Sequence, residues 1–423
     1  MSKIEFPISR EKLTHKNILC VDMKAFYASI EAVARNLDPL KTYLAVVGDK
    51  DRKTSVVLAA SPALKEKYNI KTGNRLYEIP KKSEINIVEA RMGLYVKKSC
   101  QITNLFNQFV PITDIFVYSI DEAWLDLEGT EKLWGNKLKT SMKIKQSIYD
   151  EYGLLCSMGL GPNMFLAKVA MDVEGKKKGL VEWNYDDIPQ KLWPLKLGDC
   201  WGIGSRLEKK FNKIGIKTVG ELAHLSLDYL EKKFGIMGAQ LYYHAWGIDY
   251  SKVEGEYEEK PKNISRGITL YEDYKNTEKI TTVIFELGEE VASRVREQNL
   301  IGKTVSLTVV YSHNELKNGF SRQHTLQNYT NLNFDIYEAC LILFQENYGG
   351  EAVRKISISL GNFISDSSRQ LNLFQNKNKY IKLAKLKDKL NKKYNHKALF
   401  YGKSLKNGSI RNRINTTIGG HSG

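Results

Sequence analysis

The chain has 423 residues, 42% of them hydrophobic and 10% aromatic, with 64 Lys+Arg against 48 Asp+Glu and a formal net charge of +16. That length accommodates about two to four domains, and the composition excludes a chain disordered throughout. No apolar run reaches the ~18 residues of a membrane span, the start MSKIEFPISREKL lacks the apolar core of a signal peptide, and Cys20, Cys100, Cys156, Cys200 and Cys340 form no CxxC pair.

The expectation is a cytoplasmic protein with reduced thiols, no membrane contact and no structural zinc. Any catalytic metal must then be held by oxygen.

In chain order, NILCV (17–21) reads as a short buried strand, and the segment after it carries Phe26, Ile30 and Val33 at helical spacing. Asp22 falls at that strand-to-helix junction. VVLAAS (56–61) is a second buried strand, leading into a Lys-rich helix that ends near Gly73. TDIFVY (113–118) and AWLDL (123–127) are strand-like on either side of Ser119-Ile120-Asp121-Glu122, a hairpin with carboxylates at its tip.

From Leu195 the pattern changes to short helices broken by glycine. In WGIGSRLEKKFNKIGIKTVGELAHLS (201–226) a Gly202-Ile203-Gly204 turn precedes two helices joined around Ile214-Gly215-Ile216. This resembles a helix-hairpin-helix, in which backbone N–H groups near Gly202, Gly204, Gly215 and Lys217 approach a DNA phosphate. VEGEYEEKPKN (253–263) is charged, non-periodic and broken by Pro261, so it reads as a linker. Beyond it come strand 264–270, helix 277–298, strands 304–311 and 320–326, helix 332–345 and strand 353–360, the order of a split βαβ sandwich.

The positive charge is concentrated late. Residues 375–413 hold thirteen Lys/Arg against a single acidic residue, Asp388, so +12 of the +16 lies there. Leu383, Leu386, Leu390 and Tyr394 recur at helical spacing between lysines, which predicts an amphipathic basic helix. Nucleic acid is the natural partner for such a surface.

Asp22 and the pair Asp121–Glu122 each end a strand pattern. Several oxygen ligands on rigid elements are what a two-metal phosphoryl transfer requires.

VDMKAFYASIEA (21–32), YSIDEAWLDL (118–127) and GLGPNMFLAKVAMD (159–172), in that order, resemble the three palm motifs of Y-family lesion-bypass DNA polymerases. More narrowly, the chain is similar to ImpB/MucB/SamB-type bacterial ultraviolet-protection proteins. The resemblance covers essentially the whole chain and implies an α+β multidomain, right-hand fold. Its parts would be a palm (1–35 and 89–192), fingers (36–88), a helix-hairpin-helix thumb (193–252), a linker (253–263), a split-βαβ little finger (264–365), and a clamp-binding peptide with basic tail (366–423).

The resemblance also implies roles. Asp22, Asp121 and Glu122 would be the catalytic carboxylates and, with the carbonyl of Met23, hold two Mg2+ ions. Tyr27 falls at the steric gate beneath the sugar, with Phe26 beside it. Triphosphate contacts of the dNTP would come from the fingers stretch SPALKEKYNIKTG (61–73), through Ser61 and Lys65 or Lys67, and from the palm through Lys168 and either Lys176 or Lys177. That stretch has Pro62 or Ala63 where the family usually has Tyr, and Lys24 stands where many members carry an acidic or polar residue. Ala59, Ala60, Ser61 and Ala63 are compatible with a loose roof over the nascent pair.

QLNLF (370–374) resembles the peptide by which bacterial polymerases hold the sliding clamp. Leu373 and Phe374 would be its anchors, while Gln370 and Leu371 set orientation. The function implied is low-fidelity, translesion DNA synthesis by a monomeric polymerase on primer-template DNA carrying a damaged template. The alternative is a non-catalytic DNA-damage-binding protein that retains the fold.

Overall fold

The computed structural model describes residues 6–254, 261–370, 377–394 and 398–410, and the backbone of 417–418 and 421–422. The chain divides near residue 257 into two compact units.

The first unit begins with β1 (Ile18–Met23), α1 (Phe26–Val33), β2 (Leu44–Val47), β3 (Val57–Ala60), α2 (Pro62–Tyr68), β4 (Asn86–Glu89) and α3 (Met92–Phe106). It continues through β5 (Ile115–Val117), β6 (Glu122–Asp126), α4 (Glu131–Trp134), α5 (Lys137–Tyr152), β7 (Cys156–Gly161), α6 (Met164–Ala170), α7 (Lys176–Lys178) and β8 (Leu180–Glu182). One sheet has the order β5-β6-β1-β7-β8, and a smaller one the order β3-β2-β4.

The apolar run of β1 is explained by its central place, antiparallel to β6 on one side and β7 on the other. Its side chains alternate between two cores. Leu19, Val21 and Met23 pack with Ile30, Ile102, Leu105 and Ile144, whereas Ile18 and Cys20 pack with Trp124, Met164, Ala167 and Met171. Helix α6 lies unusually near β7, because a Cβ on Gly159 would sit 2.2 Å from the Ala167 carbonyl oxygen. Only glycine permits that approach, and it lowers Lys168 onto the sheet. The small sheet and α2 share a separate core of Val47, Val57, Leu64 and Ile79.

Four helices follow: α8 (Ser205–Asn212), α9 (Val219–Ala223), α10 (Leu227–Phe234) and α11 (Ile236–Ala245). They pack around Phe211, Leu222, Leu230 and Leu241 together with Trp183 and Leu197.

The second unit comprises β9 (Asn263–Tyr274), α12 (Thr277–Glu297), β10 (Leu300–Tyr311), β11 (Gly319–Thr330), α13 (Asn333–Asn347), β12 (Val353–Ser365) and α14 (Asn378–Lys393). Its sheet order is β11-β10-β12-β9, with every neighbouring pair antiparallel. Strands β9 and β10 are therefore parallel and separated by β12, which is the split βαβ arrangement that the order of elements predicts. Ile280, Ile284, Leu287 and Val291 of α12 and Ile336 and Leu343 of α13 meet Val305, Leu307, Ile356 and Ile358 of the sheet.

Helix α14 is rotated away from the orientation its leucine spacing suggests. Ala384 and Lys387 are its buried residues, whereas Leu383, Leu386 and Tyr394 are 54%, 52% and 55% exposed. Polar contacts to α12 fix the rotation. Asp388 accepts from Arg296 at 2.6 and 3.0 Å and from Ser293 Oγ at 3.1 Å, and Lys387 pairs with Glu289. The chain then returns to α12: Ile410 is buried in that unit's core, and its N–H donates to Glu286 at 2.7 Å. Among the described residues no helix is long and apolar enough to cross a membrane.

Candidate active site

Antiparallel register sets Asp22, near the end of β1, directly opposite Glu122, the first residue of β6. The Met23 N–H donates to the Asp121 carbonyl at 2.9 Å, and the Ser119 hydroxyl donates to Asp121 Oδ1 at 2.6 Å. Between β1 and α1 the backbone turns through Ala25, which is left-handed at φ 46°. A residue with a Cβ pays of order 1 kcal/mol for that conformation. The turn is short enough for Asp22 and Tyr27 to face one cavity.

The cavity has a volume of ≈ 660 Å³, and Asp22, Met23, Phe26, Tyr27, Lys65, Asp121 and Lys176 all line it. Lys24, Leu40, Thr72 and Ser157 complete parts of its wall. Burial pushes the Asp22 carboxyl from its ordinary value up to about 6, against the opposing pull of Lys176 and Lys168. Burial also lowers the Lys65 ammonium, while Asp22 partly restores it.

Of the alternatives left by the sequence, Lys65 reaches this cavity and Lys67 does not. Lys67 Nζ lies 4.6 Å over the Tyr43 ring and 3.2 Å from Glu84. Ser61 is also elsewhere, because it begins α2 as its cap. Its hydroxyl accepts from the Leu44 N–H at 3.0 Å and donates to the Thr42 carbonyl at 2.6 Å.

Between α6 and α7 the chain makes a π-helical turn over Met171–Gly175. The wider turn inserts one residue's worth of rotation, and it is Lys176, not Lys177, that lines the cavity, with its Nζ 2.7 Å from Asp172 Oδ1.

Lys168 sits behind the cavity wall. Its Nζ lies 2.6 Å from Glu122 Oε1 and 3.3 Å from Asp172 Oδ2, with the Lys168 and Glu122 side chains 6% and 9% exposed. Burial would depress this ammonium, yet Glu122 and Asp172 hold it above the usual lysine range. The structure thus joins Lys168 to a carboxylate and not to the cavity. Asp172, the group shared by Lys168 and Lys176, ends the third motif, where one acidic residue in a helical stretch carries no mark of this role.

The Tyr27 ring stacks on Tyr95 with centroids 4.4 Å apart and planes 13° apart, and the Phe26 ring lies 6.0 Å from it. Tyr95 has no sequence signal of its own, since its place on α3 matches an ordinary buried position.

In the helical part, Gly202 and Gly215 have φ of +91° and +87°, so both require a left-handed backbone. A Cβ on Gly202, Gly204 or Gly215 would meet nothing within 4 Å, while Ile203 between the first two is buried. These turns present open backbone. The Lys217 N–H is not part of that open surface, because it donates to Glu221 at 2.6 Å. Of the QLNLF peptide, Gln370 is exposed, and Leu371, Leu373 and Phe374 lie outside the described residues.

Among the described residues no three His, Cys, Asp or Glu side chains converge closely enough to form a metal site as the chain stands. Glu122 is engaged by Lys168, whereas Asp22 and Asp121 face the cavity. The donor set is nevertheless all oxygen, as a hard divalent cation prefers, and the burial that raises the Asp22 carboxyl is a penalty that a bound cation would oppose. The residues fit such an ion.

Residues 21–172 match the impB/mucB/samB family, residues 185–216 the IMS family HHH motif, and residues 261–373 the impB/mucB/samB family C-terminal domain. The chain is 46% identical to UvrX of Bacillus subtilis (strain 168), whose name places it in UV-damage repair, over 93% of this chain and 94% of that one. It is 36% identical to DNA polymerase IV 2 of the same organism, over 97% and 99% of the two chains. To DNA polymerase IV of Moorella thermoacetica it is 35% identical, over 92% and 96%. A solved Y-family DNA polymerase chimera of Dbh and Dpo4 shares the fold with a TM-score of 0.67 at 23% identity, covering 82% of this chain and 99% of that one. A chain that matches these three family models in succession, and aligns almost end to end with such relatives, belongs to the impB/mucB/samB family.

Proposed function

We propose that the chain is a DNA-directed DNA polymerase performing translesion synthesis: the primer 3′-hydroxyl attacks the α-phosphate of a dNTP, and pyrophosphate leaves. The observation that carries this reading is the cavity that Asp22, Asp121, Lys65, Lys176 and the Tyr27 ring line together. In this reading the five-stranded sheet is the palm, the three-stranded sheet the fingers, α8 to α11 the thumb, and the second unit's sheet and helices the little finger.

Asp22, Asp121 and Glu122, with the Met23 carbonyl, would hold two Mg2+ ions, which when bound lower the pKa of the attacking hydroxyl and offset charge on the transferring phosphoryl group. Lys65 of α2 and Lys176 of α7 both line the site and bind the triphosphate as point charges. The Tyr27 ring closes the space that a ribose 2′-hydroxyl needs. Lys168 keeps Glu122 oriented from behind. The open turns at Gly202, Gly204 and Gly215 meet the DNA backbone, where N–H groups recognise phosphate without reading sequence. QLNLF binds the sliding clamp, and the polymerase acts as a monomer.

Primer extension on a damaged template with Mg2+ and all four dNTPs tests the reading. A chain that binds this DNA but adds no nucleotide would instead be a damage-binding protein on a polymerase fold.

A further inference from the structure

Beside the cavity one carboxylate is held completely out of water. The Glu31 side chain is 0% exposed, and it lies one helical turn after Tyr27 on α1, so the two share a face. Four donors converge on it. Arg91 gives Nε at 2.9 Å to Oε1 and Nη2 at 2.7 Å to Oε2, the Tyr95 hydroxyl gives 2.8 Å to Oε1, and Arg35 pairs with Oε2. These bonds outweigh the effect of burial and hold the carboxyl below its usual range.

The chemistry of nucleotide transfer makes no use of this charge, and an isolated buried carboxylate is expensive. Its geometry shows what it fixes. Tyr95 is itself fully buried, with its hydroxyl on Glu31 and its ring face on Tyr27. Two contacts at the two ends of one side chain determine the plane of the Tyr95 ring, and the Tyr27 ring lies nearly parallel to that plane, 13° away. Arg91 immediately precedes α3, close to where the chain comes back from the three-stranded sheet. The bidentate pair therefore ties that return point to the helix that carries Tyr27.

We propose that Glu31, with Arg91, Arg35 and Tyr95, is a positioning network for sugar selection: it holds Tyr95 so that the Tyr27 ring cannot withdraw from a ribose 2′-hydroxyl. None of the four meets the nucleotide. The inference rests on the assignment of Tyr27 as the gate.

Single-nucleotide incorporation with a matched dNTP and its rNTP tests it through the ratio of the two kcat/KM values. Tyr95→Phe removes one hydrogen bond to a charged group and keeps the ring. It should raise the rNTP:dNTP ratio by about 5- to 30-fold while dNTP incorporation is retained. Glu31→Gln should shift the ratio in the same direction, and circular dichroism separates that shift from any loss of fold. In the Tyr27→Ala background Tyr95→Phe should add nothing, because the network acts through Tyr27. If Tyr27→Ala raises the ratio but Tyr95→Phe and Glu31→Gln leave it fixed, or lower both substrates equally, the network is structural only and the inference fails. If Tyr27→Ala itself leaves the ratio unchanged, it is the gate assignment that falls.

Discussion

Replacing Lys168 with Met removes an ammonium 2.6 Å from Glu122 Oε1, in a pair whose side chains are 6% and 9% exposed. At that separation and an effective dielectric of about 20, the attraction is roughly 6 kcal/mol. The cost of keeping the ammonium out of water takes part of this back, and breaking a buried pair by deleting one partner typically costs about 3–5 kcal/mol. In a unit of this size each kcal/mol shifts the thermal midpoint by about 2–4 °C, so a fall of roughly 6–20 °C is expected in EDTA. Guanidinium unfolding followed by tryptophan fluorescence reads this unit directly, since Trp124 and Trp201 pack 5.8 Å apart beside α6. If Asp22, Asp121 and Glu122 hold a divalent ion as proposed, the deficit should shrink in millimolar Mg2+, because the ion would take over the compensation of Glu122. A loss below about 1 kcal/mol in EDTA, the range of an ordinary substitution, would refute the view that Lys168 carries the charge of Glu122.

Asp121→Asn or Glu122→Gln should lower kcat for primer extension by at least about 10³-fold, the equivalent of several kcal/mol of lost charge stabilisation, with DNA affinity by fluorescence anisotropy unchanged; extension near the wild-type rate would refute the assignment. The Glu31 carboxyl is depressed below its ordinary 4.5 in the folded chain, so its stabilisation is complete above that pH and is lost as pH falls through the lower, folded value. The stability difference between wild type and Glu31→Gln should then be flat from neutrality to about pH 5, near 3 kcal/mol because Arg91 and Arg35 can turn to water, and should shrink below that in urea titrations. Alanine at both Leu373 and Phe374 should weaken clamp binding in calorimetry by at least about 30-fold, as loss of a central apolar anchor does.

The strand ends that bear carboxylates were legible because a buried strand and a turn each leave a local mark, whereas the antiparallel pairing that sets Asp22 opposite Glu122 is a contact across 100 residues that only the structure shows. The lysines were not. Lys65 and Lys67 are two residues apart on one helix, and their difference is set by which face of α2 its core residue Leu64 buries. Lys176 and Lys177 differ only through a π-helical turn, which residue pattern does not announce. For α14 the leucine spacing gave the existence of the helix but the wrong buried face, since an Asp388–Arg296 pair across 92 residues decides the rotation. Tyr95 and Glu31 stayed hidden for a related reason: one resembles core and the other a solvated helix charge until their partners are in place.

The return of Ile410 to the core of the second unit changes how this gene can be edited. A stop codon anywhere between the last strand of the sheet and Ile410 would remove a core side chain and the N–H that Glu286 accepts. It would be a folding mutation before it was the loss of a tether. Charge can be taken from this region without that damage only from the outside, at exposed lysines of α14 such as Lys382 and Lys389. In this protein the basic C-terminal segment is inherited together with the fold of its second unit.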